Sequence, residues 1–296
     1  MPIQGWVIKN YLPLFITKGS MLDNNIKLKI LHNDDGSFTD ISDECADFGR
    51  DTTSLTFLQS TSELYIGYRK PINSFYVELA TASTDSNLFV IEYWNGTSWT
   101  DTGAVDYTKG FTRSGFITWN RNLTNESKKT INGTELYFIR VTAIEDFSAV
   151  LGGIGFLFTD DNDLRQEVPE ITDSNHLAGK ASHILTHVAV RNKIIQDLRN
   201  KNYTHTNSLG EIEDLTVWDI LNANQLNQAA IALGLSKIYY NFSDTVGDVY
   251  ERNSNKYFAD YNSSMDLARL SIDSNDDGIE NKQEETVRFN VIRIVR

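Results

Sequence analysis

Cysteine is nearly absent from this chain. Cys45 is the only one in 296 residues, so no internal disulfide can staple the fold and stability has to come from packing. Long apolar runs are missing as well. No stretch approaches the roughly 20 residues that a membrane-spanning helix needs, and residues 1–5 lack the basic and apolar runs of a signal peptide. The expectations are synthesis in the cytoplasm and no membrane contact, so the sequons at Asn95 and Asn132 report turn chemistry more than glycosylation. Basic residues are in deficit, 27 Lys and Arg against 40 Asp and Glu, for a net charge of -13. Tight nucleic-acid binding needs clustered Lys and Arg against phosphates, so this balance disfavours it, whereas a surface that DNA merely passes tolerates it.

Apolar and aromatic side chains are plentiful. Hydrophobic residues make up 40% of the chain, with 15 Phe, 13 Tyr and 5 Trp, enough to build packed cores and to exclude wholesale disorder. The length is comfortable for two domains. Residues 64–66, 75–77, 88–94, 116–119, 136–141 and 154–158 are short runs rich in β-branched and aromatic residues. Asn95 with Gly96 and Asn132 with Gly133 stand beside two of them, a hairpin signal because both central residues of that turn need positive φ. Strands at this spacing predict an antiparallel sandwich or jelly roll. Glycines at 152, 153 and 155 lack the spacing of a phosphate-binding loop and read as a strand kink. The pattern breaks at Asp160, Asp161, Asp163 and Pro169, which places a linker over 163–181 between domains at 1–162 and 182–296.

The second half has helical spacing. Ile184, Leu185, Val188, Ile195 and Leu198 share one face of a helix over 182–200, and a polar loop follows over 201–209. Residues 222–242 are apolar nearly all round, through Leu226, Ala230, Leu233 and Tyr240 on one stripe and Ile231, Leu235, Ile238 and Phe242 on another, which marks a central helix. Ser243 and Asp244 offer an N-cap for a third helix carrying Tyr250, Tyr257, Phe258, Tyr261 and Met265. The expected class is therefore α+β: an N-terminal antiparallel β-sandwich and a C-terminal helical bundle. Tyr239, Tyr240, Tyr257 and Tyr261 exceed what so small a bundle needs internally, so some of this surface is expected between copies.

After the third helix comes an acidic corner that fits a calcium-loop template. Asp273, Asn275 and Asp277 supply oxygens at positions one, three and five, Gly278 the sharp turn at six, Ile279 a backbone carbonyl at seven, and Glu284 a carboxylate at twelve. A calcium-stapled corner and a metal-free Asx-rich turn both satisfy the pattern. The segment beyond it alternates like a strand, with Val287, Phe289 and Val291 against Arg288 and Asn290, then Ile292, Arg293 and Arg296. A lone strand needs a partner. Either it closes on its own chain or it adds to a partner's sheet, with Val287, Phe289 and Val291 setting register and Arg288 and Arg293 orienting it on an acidic rim.

The order of these segments over about residues 180–296, namely helix, short segment 215–221, helix opened by residues 224–226, tyrosine-rich helix, acidic corner and final strand, resembles the head-tail adaptor (connector) family of tailed bacteriophages. The resemblance implies a non-enzymatic virion protein assembled in the host cytoplasm, a ring of twelve copies between the portal and the next neck or tail protein, with DNA passing through. Unlike the small all-helical adaptors, this chain carries a whole β domain in front. Residues 93–99, 115–119 and 136–140 are similar to β-sandwich domains of phage virion proteins and to galactose-binding-like sandwiches. That likeness implies an alternative, a decoration or tail protein that binds host glycans through Trp94, Trp99 and Trp119, although their strand positions favour core packing.

Catalytic signals are weak. His183 and His187 stand four apart on a helix, but Ile184 replaces the glutamate of the zinc-protease motif and no third ligand is evident. Cys45 has no signature and reads as an apolar filler. Asp34 with Asp35 and Asp160 with Asp161 would serve a glycosidase only by converging in a cleft.

Two outcomes follow for the acidic corner and the tail. Millimolar calcium is expected to raise the melting temperature of the wild-type chain and to do so less in Asp277→Ala; no binding heat and no shift by calorimetry would favour the bare turn. Deleting 287–296 is expected to leave helical circular dichroism and melting intact while abolishing joining to the portal or the next neck protein. A truncated chain that unfolds, or that still assembles, rules the docking role out.

Overall fold

A computed structural model describes residues 27–46, 48, 51–59, 61–84, 89–120, 125–207, 210–273 and 278. The N-terminal half is a two-sheet antiparallel arrangement preceding the helices, so the broad α+β layout matches the expectation. Its elements are β1 (Lys29–Asp34), β2 (Ser37–Asp40), α1 (Ser42–Ala46), β3 (Thr53–Phe57), β4 (Ser62–Tyr68), β5 (Ser74–Thr81), β6 (Phe89–Trp94), β7 (Trp99–Asp101), β8 (Val105–Asp106), β9 (Gly115–Thr118), β10 (Lys129–Ile131), β11 (Thr134–Ala143) and β12 (Phe147–Gly155). One sheet runs β2-β1-β4-β11-β6-β7 with β10 added to β11, and the other runs β3-β12-β5-β9-β8. All their pairings are antiparallel.

Turn chemistry sets these hairpins. Asn132 at φ 45 and Gly133 at φ 77 form the two-residue connection between β10 and β11, as the dipeptide predicts. Asp35 at φ 47 and Gly36 at φ 85 do the same between β1 and β2, so this half of the Asp34 and Asp35 pair is a tight turn. The connection at Asn95 is longer. Its side-chain oxygen accepts from the backbone N–H groups of Thr97 and Ser98 at 2.9 and 2.8 Å, an Asx-type closure over 95–98.

Alternation delivers Ile66, Ile91, Ile139 and Val141 from the first sheet, and Leu55, Phe75, Val77, Ile117 and Leu151 from the second, into one shared core. The kink at 152–155 is a β-bulge in β12, where register shifts between Leu151 and Gly153. Phe48 lies against that backbone so closely that a Cβ at Gly153 would sit 2.6 Å from its ring.

The segment expected as a linker is ordered and packed. It contains α2 (Asp161–Glu167), a 3-10 turn at Pro169–Thr172 and α3 (Ser174–Leu177). Asp160 caps α2, accepting from the backbone N–H groups of Asn162 and Asp163, while Asp163 returns the bond to Asp160, a reciprocal capping box. Leu164 of α2 is buried with Ile231, Leu235 and Ile238 of the central helix.

The remaining elements are α4 (Ile184–Asn200), β13 (Thr204–Thr206), β14 (Ile212–Asp214), α5 (Asn227–Phe242) and α6 (Val249–Leu267). The central α5 is buried on nearly every side from Ala229 to Tyr239, as its composition predicts. Two details differ. The polar 201–209 stretch supplies β13, which pairs with β14 as a small hairpin. The N-cap of α6 is Asp248, whose carboxylate accepts from Glu251 N–H at 2.6 Å. Gly247, at φ +81, lets the chain reverse immediately before that cap, so the helix starts later than Ser243 and Asp244 indicate. Among the described residues no helix is long and apolar enough to cross a membrane.

The helices dock on the sandwich. Val190, Ile194 and Leu198 of α4 and Ala229 and Ala230 of α5 belong to the same buried cluster as Tyr68, Phe156 and Phe158. Trp218 is the pivot, with its ring 5.3 Å from both Tyr68 and Phe156.

Candidate functional site

The polar centre of the molecule is where the sandwich meets the acidic corner. Lys70 leaves the end of β4 and is fully buried. An ammonium in such a place must be paired, because leaving water uncompensated costs several kcal/mol. Its Nζ donates to Asp219 Oδ1 at 2.5 Å and lies 3.6 Å from Asp273 Oδ2. Local structure fixes both acids. Asp219 closes a capping box, its Oδ2 accepting from the backbone N–H and the hydroxyl of Thr216 at 2.6 and 2.8 Å. The Asp219 carbonyl in turn accepts from Asp273 N–H at 2.8 Å. His205, from β13, donates through Nδ1 to the Asp273 carbonyl at 2.5 Å, which leaves Nε2 to accept from Lys70 at 3.1 Å. One cation thus faces two carboxylates and an imidazole.

Asp273 is position one of the calcium template, and Gly278, position six, donates its N–H to Asp273 Oδ2 at 3.2 Å. The corner is closed at that point, with Gly278 at φ +69 pressed on Pro71. Asn275, Asp277, Ile279 and Glu284 lie outside the described residues, as do Val287, Arg288, Phe289, Val291 and Arg293. Among the described residues no group of three or more His, Cys, Asp or Glu is placed to hold a metal.

A second polar cluster sits at the start of α4. Asp161 accepts from His187 Nε2 at 2.8 Å and from His183 N–H at 3.2 Å. Burial alone would push the Asp161 carboxyl up, but the bonds and charge from His187 outweigh it and hold the group below its usual range. His183 Nε2 donates instead to the Ile171 carbonyl at 2.9 Å. The two histidines that share a helix face are therefore committed to separate acceptors. Glu78, between Tyr76 and Ser182, is pushed above the ordinary carboxylate range by burial. Arg191 is buried and donates to the Phe156 carbonyl at 3.2 Å, and burial brings its guanidinium down to about 10. These groups lock α4 to the sandwich and to α2. Cys45 is buried in the core, and burial pushes its thiol up to about 12, in keeping with an inert filler.

The tryptophans divide. Trp119 is buried against Phe75. Trp94 and Trp99 pack edge to face at 5.5 Å on the outer side of the seven-stranded sheet. Lys129 sits 3.3 Å above the Trp94 ring and Arg140 4.7 Å above Trp99, so their faces already hold the protein's own cations. Arg140 is held there by Glu63 at 2.9 Å and Glu92 at 2.7 Å.

Two concavities mark the surface of the helical half. A cleft of about 790 Å³ between the sandwich and α2 is walled by Tyr107, Phe116, Phe158 and Trp218, with amides from Asn162 and Asn227. A groove of about 480 Å³ runs over α5 between α4 and α6, lined by Leu185, Leu233, Lys237, Tyr240 and Phe258. Of the four tyrosines expected between copies, only Tyr240 is exposed; Tyr261 is buried and donates to Asp197 at 2.6 Å, and Tyr239 stacks with Tyr257 at 5.8 Å.

Sequence reasoning missed Lys70, His205 and Asp219. Their signal was faint: a lysine directly before Pro71, and the Thr216 to Asp219 spacing of a capping box. Replacing Lys70 with Met leaves two buried carboxylates without their cation, so Lys70→Met is expected to lose about 3–5 kcal/mol in urea unfolding. Thr216→Val, which removes the hydroxyl that donates to the Asp219 carboxylate and accepts from the Asp219 N–H, is expected to lose about 1–3 kcal/mol; equal losses would remove the charge from this account. Comparisons with protein-family models, with curated proteins and with solved structures give no match.

Proposed function

We propose that this chain is a non-enzymatic structural protein of a tailed-phage neck, a head-tail adaptor that forms a ring between the portal and the next neck or tail protein. The observation that carries the reading is the groove of the helical half, where large exposed apolar side chains stand among polar ones. Leu185, Tyr240 and Phe258 remain 50%, 59% and 46% exposed around one concavity. Large apolar side chains exposed together around one groove are the kind of surface that a partner covers. The resemblance of residues 180–296 to adaptors supplies the class of neighbour.

Charge supports the same role. A net charge of -13 keeps a protein that surrounds DNA from gripping its phosphates while the genome passes. The cations above Trp94 and Trp99 weigh against the glycan-binding alternative, because a sugar ring would have to displace Lys129 and Arg140 to stack there.

Electron microscopy of the purified full chain, alone and mixed with portal rings, tests the proposal. Rings, or density seated beneath the portal, are expected. A chain that stays monomeric under both conditions overturns it.

A further inference from the structure

Lys237 lies in the floor of the α5 groove, half-buried. Among the described residues its ammonium has no hydrogen bond and no carboxylate partner. Lys193, which shares the groove with it, is itself paired with Asp197 at 2.5 Å. Burial first and Lys193 second pull the Lys237 ammonium below the usual lysine range. A groove that presents Leu185, Tyr240 and Phe258 beside a cation without an ion pair suits an occupant with an apolar tip and a negative charge next to it.

The chain carries such a tip. The turn between α5 and α6 presents Val246 at 92% exposure, the most exposed of the large apolar residues described. The turn is braced from within. Asp248 Oδ2 accepts from the N–H groups of Asp244 and Thr245 at 3.0 and 3.2 Å, the Glu251 carboxylate accepts from Gly247 N–H, and Arg252 Nη1 donates to the Gly247 carbonyl at 3.0 Å. With Asp248 and Glu251 committed to the backbone, the Asp244 carboxylate is the one that makes no bond among the described residues. A braced turn loses little conformational entropy on docking.

We propose that the groove between α4, α5 and α6 receives the α5–α6 turn of a second copy, with Val246 against Leu185, Tyr240 and Phe258 and Asp244 against Lys237. This deepens the ring reading and rests on it for the class of assembly. A one-way contact propagates into a ring, whereas a reciprocal exchange closes a pair.

Sedimentation velocity of the full chain over a concentration series tests the contact through a charge exchange. Lys237→Glu and Asp244→Lys, each alone, are expected to weaken self-association about tenfold or more, and the double variant to recover most of it. Val246→Ser, at a position too exposed to affect folding, is expected to weaken it as well. Single variants without effect, or a double variant no better than the singles, overturn the contact. So does a wild-type chain that stays monomeric at high micromolar concentration, which leaves the neck reading to the portal-templated experiment. Variants that self-associate normally but lose portal binding put a portal segment in the groove, overturning the contact while the neck role stands. A rescued species that is a closed dimer upholds the contact and removes the ring.

Discussion

The buried ammonium of Lys70 is the constraint on which the arrangement of the two halves depends. It belongs to the sandwich, at the end of β4, while both carboxylates that face it, Asp219 and Asp273, belong to the helical half. A buried ion pair gives little net stability compared with a well-packed apolar substitute, but an undocked or shifted arrangement would bury a charge without its partner, at a cost of several kcal/mol. The pair therefore acts against wrong arrangements more than for the right one. The apolar seam around Trp218 supplies the adhesion, and the charges fix where along that seam the helices sit. α4 and α5 follow from that placement, and with them the walls of the groove.

The same geometry bears on the acidic corner. Asp273 both begins the calcium template and accepts from Gly278 N–H. Lys70 stands 3.6 Å from that carboxylate. Two unit charges at ~4 Å interact by about 4 kcal/mol at an effective dielectric constant of ~20, which is comparable with the whole binding free energy of a weak calcium site, about 4–5 kcal/mol. What decides the balance is Asp219. Because it holds the ammonium at 2.5 Å, against 3.6 Å for Asp273, the positive charge is largely spent before an incoming cation meets it.

The parts of the fold that were legible in the sequence are those with local causes. The turn at Asn132 and Gly133 needs two positive φ values and gets them from its own two residues. α5 announces itself by being apolar nearly all round, whereas the stripe expected on α4 is met only at Ile184, Ile195 and Leu198: Leu185 is exposed, and Arg191, expected on the outer face, is buried. The parts that were not legible depend on residues far apart. Lys70 meets His205 and Asp219 across 135 and 149 positions, and no periodicity or spacing relates them. β13 was hidden for a related reason: a three-residue strand of Thr204, His205 and Thr206 has too few residues to show alternation, and its burial comes from the sandwich rather than from its own composition. Two candidate caps competed before α6, and Asp248 prevailed because Gly247 permits the reversal that places it at the helix end.

Surface charge and surface apolarity are distributed differently in the two halves, and the difference bears on which half meets partners. On the sandwich, the outer aromatic layer of Tyr65, Phe138 and Trp99 is closed by its own cations, with Arg140 clamped between Glu63 and Glu92. Gly67 belongs to this layer: a Cβ there would lie 2.3 Å from the Phe138 ring, so the ring lies flat on the strand and offers no rim to a ligand. Arg140 has two counter-charges on that face, and Lys129 covers the Trp94 ring. On the helices Lys193 and Lys201 are paired with Asp197 and Asp266, and Lys237, among the described residues, is not. Lys237 faces another lysine, and Leu185, Tyr240 and Phe258 face solvent around it. The sandwich face is thus covered largely from within the chain, whereas the helical groove keeps the half-buried Lys237 and its apolar neighbours open to solvent.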